Sequence, residues 1–482
     1  MKKLFFVLIL KNAFKKTRRL AFGHDRGWES RNLRKQRNLI PLFTGMTAFL
    51  GLFLGLFLMK PAFADNPVSG SILIDTRAET GSGEISREEY RLTLKAAKRV
   101  KELYAYGEVW FRGFGISQST TYLPQLQQYS SEPPTYLDVR QVYVEFYSFL
   151  LENLDVKIGK QILNWGTADE LNVTNNVNPY DLEDPFAFDN KLPVPLLVAE
   201  YYFPHEISLT GVIEPIFVPT VLPADKWLNA FITSVPIPSW LHIDQININV
   251  NRPSQSLSGD MSYGIRLAKK ALLGYDISLS YYNGRYTLPE LTSANITASA
   301  NSIIANANLG FPRLSIIGGD FAGSIGDHGV WGEVALNIPQ QPVRFNAYVL
   351  NTPYAPESYD IATSPFVKYV LGTDYTFNDG TYMNVQFLHG QFYEIGSQLQ
   401  NYLTVMSNKS FLYDKLKAQV AIMLEMAPHN LTAYMFYPEL DWMPYDNITM
   451  AVGGFIFAGD SGTVFGNIIN NSEVFLKASY VF

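Results

Sequence analysis

The closing stretch reads Glu473-Val474-Phe475-Leu476-Lys477-Ala478-Ser479-Tyr480-Val481-Phe482, and its alternation decides the fold class. Val474, Leu476, Ala478, Tyr480 and Phe482 share one face of an extended strand, with Glu473, Lys477 and Ser479 on the other, because successive strand side chains point to opposite sides. The rhythm recurs upstream. Leu416, Ala418, Val420, Ile422 and Leu424 alternate with Lys415, Lys417 and Gln419, and Tyr90, Leu92, Leu94 and Ala96 with Glu89, Arg91, Thr93 and Lys95. Leu103, Ala105, Val109 and Phe111 stand opposite Glu102, Glu108 and Arg112, and Leu154, Val156 and Ile158 opposite Asp155 and Lys157.

Such strands suit a soluble sandwich, apolar inwards, or a membrane barrel, apolar outwards. Three observations favour the barrel. Many strands run about 10 residues, the length that crosses a bilayer at a tilt, against about 5–6 for soluble strands. Tyr, Phe and Trp crowd the strand ends, as interfacial girdles do. The final strand, with Tyr480 and Phe482, resembles the terminal signal by which outer-membrane barrels are recognised by their assembly machinery. The expectation is an all-β, transmembrane antiparallel barrel of about 14–18 strands, 16 being the single best value since single-chain barrels have even numbers. Asn378-Asp379-Gly380 supplies a tight hairpin turn.

Composition agrees: 14% of residues are aromatic but only 17% charged, a mixture of many half-apolar strands rather than a few apolar helices. Cysteine is absent, which removes disulfides and thiolate metal sites. Charge is uneven. Residues 1–64 hold 13 Lys+Arg and 2 Asp+Glu, leaving 25 basic and 42 acidic residues in 65–482. A chain that acidic is ill suited to nucleic acid, whose phosphates need cationic partners. Leu39 to Met59 is almost uniformly apolar, follows Arg34, Lys35 and Arg37, and leads to Ala62-Phe63-Ala64. Basic head, apolar middle and small-residue exit describe a secretory signal, with cleavage expected after Ala64; an uncleaved transmembrane helix is the alternative. The expected organisation is therefore a basic extension plus signal over 1–64 and an outer-membrane barrel over 65–482.

One region breaks the rhythm. Eleven prolines lie between Pro179 and Pro253, and proline removes a ladder donor, so much of 179–253 is expected to be loop or plug. Within it Trp227, Leu228, Phe231, Ile232 and Val235 have the spacing of one helical face, packed on the rim or folded into the lumen. The polar run Asp169, Glu170, Asn172, Asn175, Asn176, Asn178, Asp181 and Asp184 offers oxygens to Ca²⁺, but its spacing is not that of a calcium loop, and turn formation is the preferred reading. No metal or cofactor is expected. Gly459-Asp460-Ser461-Gly462 is similar to the nucleophile segment of chymotrypsin-like proteases, yet no histidine motif accompanies it and a turn accounts for it. His205, His242, His328, His389 and His429 are scattered. No enzyme is expected. Candidates for the lumen surface are Arg91, Lys95, Glu102, Glu108, Arg112, Asp155, Lys157, Arg266 and Arg344, which would shape ion passage or pair with one another.

The run Gly159-Lys160-Gln161-Ile162-Leu163-Asn164-Trp165-Gly166, followed by Asn178-Pro179-Tyr180-Asp181, Leu192-Pro193-Val194-Pro195 and Ala199-Glu200-Tyr201-Tyr202, resembles a family of poorly characterised Gram-negative outer-membrane barrels carrying a Gly-Lys/Arg-Gln…Trp-Gly…Asn-Pro signature. The resemblance implies a barrel that partners RND-type exporters of the lipid-handling kind. Read physically, Gly159 permits close strand packing, Trp165-Gly166 suits an interfacial anchor, and Asn178-Pro179 starts a turn, together tethering an inward loop to the wall. The function expected is a porin-like channel or transport component for small or lipophilic molecules, in contact with outer-membrane lipid and possessing a periplasmic or RND-type partner. A barrel enzyme such as a lipid hydrolase, and a structural or adhesive barrel with a closed lumen, are the alternatives.

Overall fold

The computed structural model describes residues 68–115, 135–187, 190–223, 225–228, 245–254, 260–298, 303–350, 357–427 and 432–482. In chain order the first strands are β1 (Val68–Glu79), β2 (Ile85–Val100), β3 (Leu103–Phe114), β4 (Thr135–Phe146), β5 (Leu154–Gln161), β6 (Val194–Phe203) and β7 (Ile207–Glu214). A short helix α1 (Asp225–Leu228) precedes β8 (Gln245–Val250), β9 (Ser262–Leu272), β10 (Tyr275–Arg285), β11 (Glu290–Ala298) and β12 (Ile303–Gly310). Then come β13 (Arg313–Ile325), β14 (His328–Pro339), β15 (Val343–Leu350), β16 (Glu357–Ala362), β17 (Phe366–Thr376) and β18 (Tyr382–His389). The last are β19 (Asn401–Phe411), β20 (Leu416–Met426), β21 (Thr432–Tyr445), β22 (Ile448–Gly459) and β23 (Glu473–Val481).

Eighteen of these form one antiparallel sheet in which each strand pairs with the next, and β23 pairs back with β1, from Ser71↔Val481 to Glu79↔Glu473. The sheet is a closed barrel. The other five form a small sheet in the order β16-β15-β11-β12-β8, built from three connections that all leave the same end of the barrel. Turns at the opposite end are short, Leu273-Gly274 among them, and Val68 and Phe482 lie at that end too.

Exposure runs opposite to that of a soluble protein. On the outer face Leu279 is 68% exposed, Leu137 65%, Leu476 54% and Val452 51%, whereas inward-pointing Arg77 is 3% exposed, Glu89 2% and Glu425 0%. Backbone in hydrocarbon must be fully paired, which closed barrels achieve, and the apolar outer belt supplies the lipid-facing surface. This is a transmembrane barrel. Its 18 strands exceed the best value of 16, because the proline-rich stretch contains two wall strands, β6 and β7. Pro195 is tolerated near the start of β6, before the pairing with β7 begins at Leu197. Arg344 belongs to β15 in the small sheet rather than to a wall strand, and its side chain lies outside the described residues.

Candidate functional site

Where β5 ends, the chain turns into the lumen, and the described residues 162–187 and 190–193 lie across it before the wall resumes as β6. On one side the loop meets β14. Glu333 accepts the amide N–H groups of Thr167 (2.6 Å), Ala168 (2.7 Å), Val173 (2.8 Å) and Thr174 (3.0 Å), together with the Thr174 hydroxyl (3.0 Å). Four amides aimed at one buried carboxylate supply the charge-assisted bonds that a buried anion requires. On the other side the loop supplies the acids. Asp181 accepts Arg140 at 2.8 Å, Glu183 accepts Arg112 at 2.6 Å and Arg87 at 3.2 Å, and Asp184 is bidentate with Arg77. Burial alone would push the Asp184 carboxyl up, but the Arg77 guanidinium holds it well below the usual carboxylate range.

The Gly-Lys-Gln…Trp-Gly…Asn-Pro residues belong largely to this anchorage. Asn178 donates to the carbonyls of Gln161 (3.0 Å) and Leu192 (2.9 Å) and accepts from Leu163 N–H (2.9 Å), tying the loop's two ends together. The Pro179 carbonyl accepts Leu192 N–H at 2.8 Å. Gln161 is fully buried and donates to Leu196 O at 3.2 Å. Gly166 has φ +89°, and a Cβ there would strike Asn172, Glu333 and Thr174. Gly159 (φ +139°) lies against the backbone of Val142 and Tyr143. Trp165 is not an interfacial anchor: it is 3% exposed and rests over Gly264 on the inner wall. A Trp next to a strand end reads the same whether the chain then leaves the barrel or enters it. Lys160 alone points outwards; its pair Val142 is half exposed on the lipid face.

The lumen divides along its axis. In the half nearer the long connections, inward residues Leu196, Val212, Ile316, Val370, Met423 and Phe457 pack with loop residues Leu171, Val173 and Val177 into one apolar core. Phe186 stacks on Phe455 at 3.8 Å, and Trp227 of α1 meets its edge at 4.7 Å, so Trp227 belongs to this core; Phe231, Ile232 and Val235 lie outside the described residues. Under the loop remains a cavity of about 60 Å³ bordered by Asn175, Tyr286, Asn337 and Lys368, where the Asn175 Oδ1 and Tyr286 hydroxyl have no protein partner. It is polar and roomy enough for water.

The half nearer the short turns keeps polar, partly exposed inner faces. Lys157 lies 4.0 Å over Tyr143, Asp155 accepts Ser148 N–H at 3.0 Å, and Lys95 is exposed. Glu108 accepts Tyr106 (2.9 Å) and Trp110 (2.8 Å), Arg266 donates to Ser278 (3.0 Å), and Arg91 lies 4.3 Å over Trp110. Glu102 sits in the β2–β3 turn on the rim instead of the lumen wall. Sequence reading missed Arg77, Arg87, Glu89, Arg140 and Glu333. They read as ordinary polar strand positions, and nothing local announces a partner 159 residues away, as for Thr174 and Glu333.

Several acids and amides of the polar run make such bonds: Asn172 accepts Asn175 N–H at 2.6 Å, and Asp169 accepts Asn384 at 3.1 Å. Among the described residues no group of three or more His, Asp or Glu converges on a metal position. His389 pairs with Asn401 (2.8 Å) and His328 stacks on Tyr375 (4.6 Å); His242 and His429 lie outside the described residues.

A family model described as "Protein of unknown function (DUF1302)" matches residues 109–445. The chain belongs to this family. The match takes in the whole inward loop together with Arg112, Arg140 and Glu333. No curated protein matches the chain in sequence. Among solved structures it is similar to Salmonella typhi OmpF in complex with daunomycin, at 9% identity over 86% of this chain and 97% of that one, with a TM-score of 0.39. It is similar to Escherichia coli Wzi, an outer-membrane carbohydrate-binding β-barrel of group 1 capsule assembly, at 8% identity over 86% and 84%, TM-score 0.44. It is also similar to Acinetobacter baumannii OccAB2, at 8% identity over 88% and 99%, TM-score 0.48.

Proposed function

We propose that this chain is an outer-membrane, porin-like barrel that passes or hands over a small or lipophilic molecule, with the inward loop as its constriction. One observation carries the reading: a loop fastened by ion pairs and by Glu333 helps to fill the half of the lumen nearer the long connections, while the other half keeps polar, partly exposed inner faces. Short turns face the periplasm in such barrels, so the polar half is a periplasmic vestibule and the filled half lies towards the outer leaflet. Periplasmic delivery accords with an RND-type exporter as partner, which the signature motif implies. The barrel performs no bond chemistry; charge lines and narrows a path.

Conductance in planar bilayers and uptake into proteoliposomes test this. Wild type should conduct weakly, and the double variant R112A/R140A, with Asp181 freed and Glu183 left to Arg87 alone, should conduct more. A folded barrel that stays impermeable to ions and lipophilic dyes in both forms would end the passage reading in favour of a closed structural barrel.

A further inference from the structure

The wall is not uniformly sealed. β3 pairs with β4 along its length, but the β4–β5 ladder has five residue pairs, from Val142↔Lys160 to Phe146↔Val156. β5 ends at Gln161, where the chain turns inwards, so among the described residues Leu137–Gln141 of β4 has a strand on one flank only. This stretch lies within the apolar belt, for its outward Leu137 and Val139 are well exposed. An unpaired backbone edge in hydrocarbon is costly and is tolerated where protein or water meets it.

Side chains do the pairing here. Lys160 Nζ donates to the Val139 carbonyl at 2.6 Å, and the Gln141 side-chain oxygen accepts Ile162 N–H at 3.2 Å. Charges gather at the same seam, with Asp138 3.7 Å from Lys160 and 3.5 Å from Arg140, which reaches through to Asp181 on the loop. Behind it Leu163 packs on the apolar core. A backbone ladder opens only by breaking the sheet, whereas a lysine can swing away.

We propose that the β4–β5 seam is a lateral portal between bilayer and lumen for an amphiphile with an anionic head and an apolar chain. This deepens the passage reading and rests on it. The chain slides past Val139 and Leu163, while the head takes the place of Asp138 on Lys160 and Arg140.

A diazirine-bearing palmitic acid, photolysed in proteoliposomes of the full-length barrel, tests the portal, with labelled peptides mapped by mass spectrometry. Seam peptides (135–141 and 162–165) should carry about tenfold more label than the outer face of β20, and Lys160→Glu should remove that excess while Lys160→Arg keeps it. Heat-modifiable gel mobility checks that each variant is folded; should Lys160→Glu fail to fold, Lys160→Gln takes its place. Label spread evenly over the outer belt, or a seam excess indifferent to Lys160, overturns the portal. Transport into the vesicle lumen is read in the same preparation. Transport without a seam excess ends the portal alone, and a seam excess without transport ends the passage reading.

Discussion

The inward loop is fastened at two places by opposite chemistry. At β14 the wall supplies the charge, and the loop answers with backbone: Glu333 collects four amides and a hydroxyl. At β1–β4 both partners are side chains, with Arg77, Arg87, Arg112 and Arg140 answering Asp181, Glu183 and Asp184. The first attachment is rigid, since every amide belongs to a chain whose path it fixes, and only Thr174 has a second acceptor, Asn172 Oδ1 at 3.0 Å. The second is redundant, because Glu183 has two guanidiniums and Asp75 shares Arg77. A constriction built this way has a fixed side and a side that can let go.

Glu333→Gln should break the comparison most severely. An amide NH₂ would face two of the N–H donors, of which only Thr174 has a second acceptor in Asn172 Oδ1, at a cost of about 3–5 kcal/mol, the usual scale for an uncompensated buried group. Its urea midpoint in detergent should fall well below that of wild type; a midpoint within error of wild type would show the loop is not held there.

Smaller effects are expected on the arginine side, and unequal ones. Arg140→Ala strands the buried Asp181 and should cost about 2–3 kcal/mol, whereas Arg112→Ala leaves Glu183 with Arg87 and partly in water and should cost about 1 kcal/mol. Equal losses would contradict the redundancy.

The smallest effect concerns acidity. A carboxyl whose folded pKa is depressed contributes stability that is fully present above its unfolded value, about 3.9 for Asp, and is lost only as pH falls through the lower folded value. Arg77 depresses Asp184 in this way, so its part of the clamp should be undiminished from pH 7 to about pH 4.5 and weaken only as pH falls on below the usual carboxylate range. Single-channel conductance should stay flat across that range. A rise at pH 6 would move the release to other groups.

These two attachments also separate what was readable. The acidic run at 181–184 is visible in the sequence, where its spacing offers only a turn; its tethering role is not, because the partners Arg77 and Arg140 read as ordinary strand residues. Glu333 had no signal at all, since its partners are backbone amides that every residue carries. Trp165 misled for a related reason, as burial depends on which way the chain turns after Gln161.

The two-residue alternation was enough to establish which residues share a strand face, because side-chain direction in a strand is fixed by backbone geometry, and strand length, aromatic strand ends and the closing Phe482 chose a barrel over a sandwich. Tertiary structure alone decided that the barrel has 18 strands, that its upper lumen is filled, and that its wall thins between β4 and β5. Those features arise from contacts between residues far apart in the chain, and a local pattern carries no record of which distant group arrives.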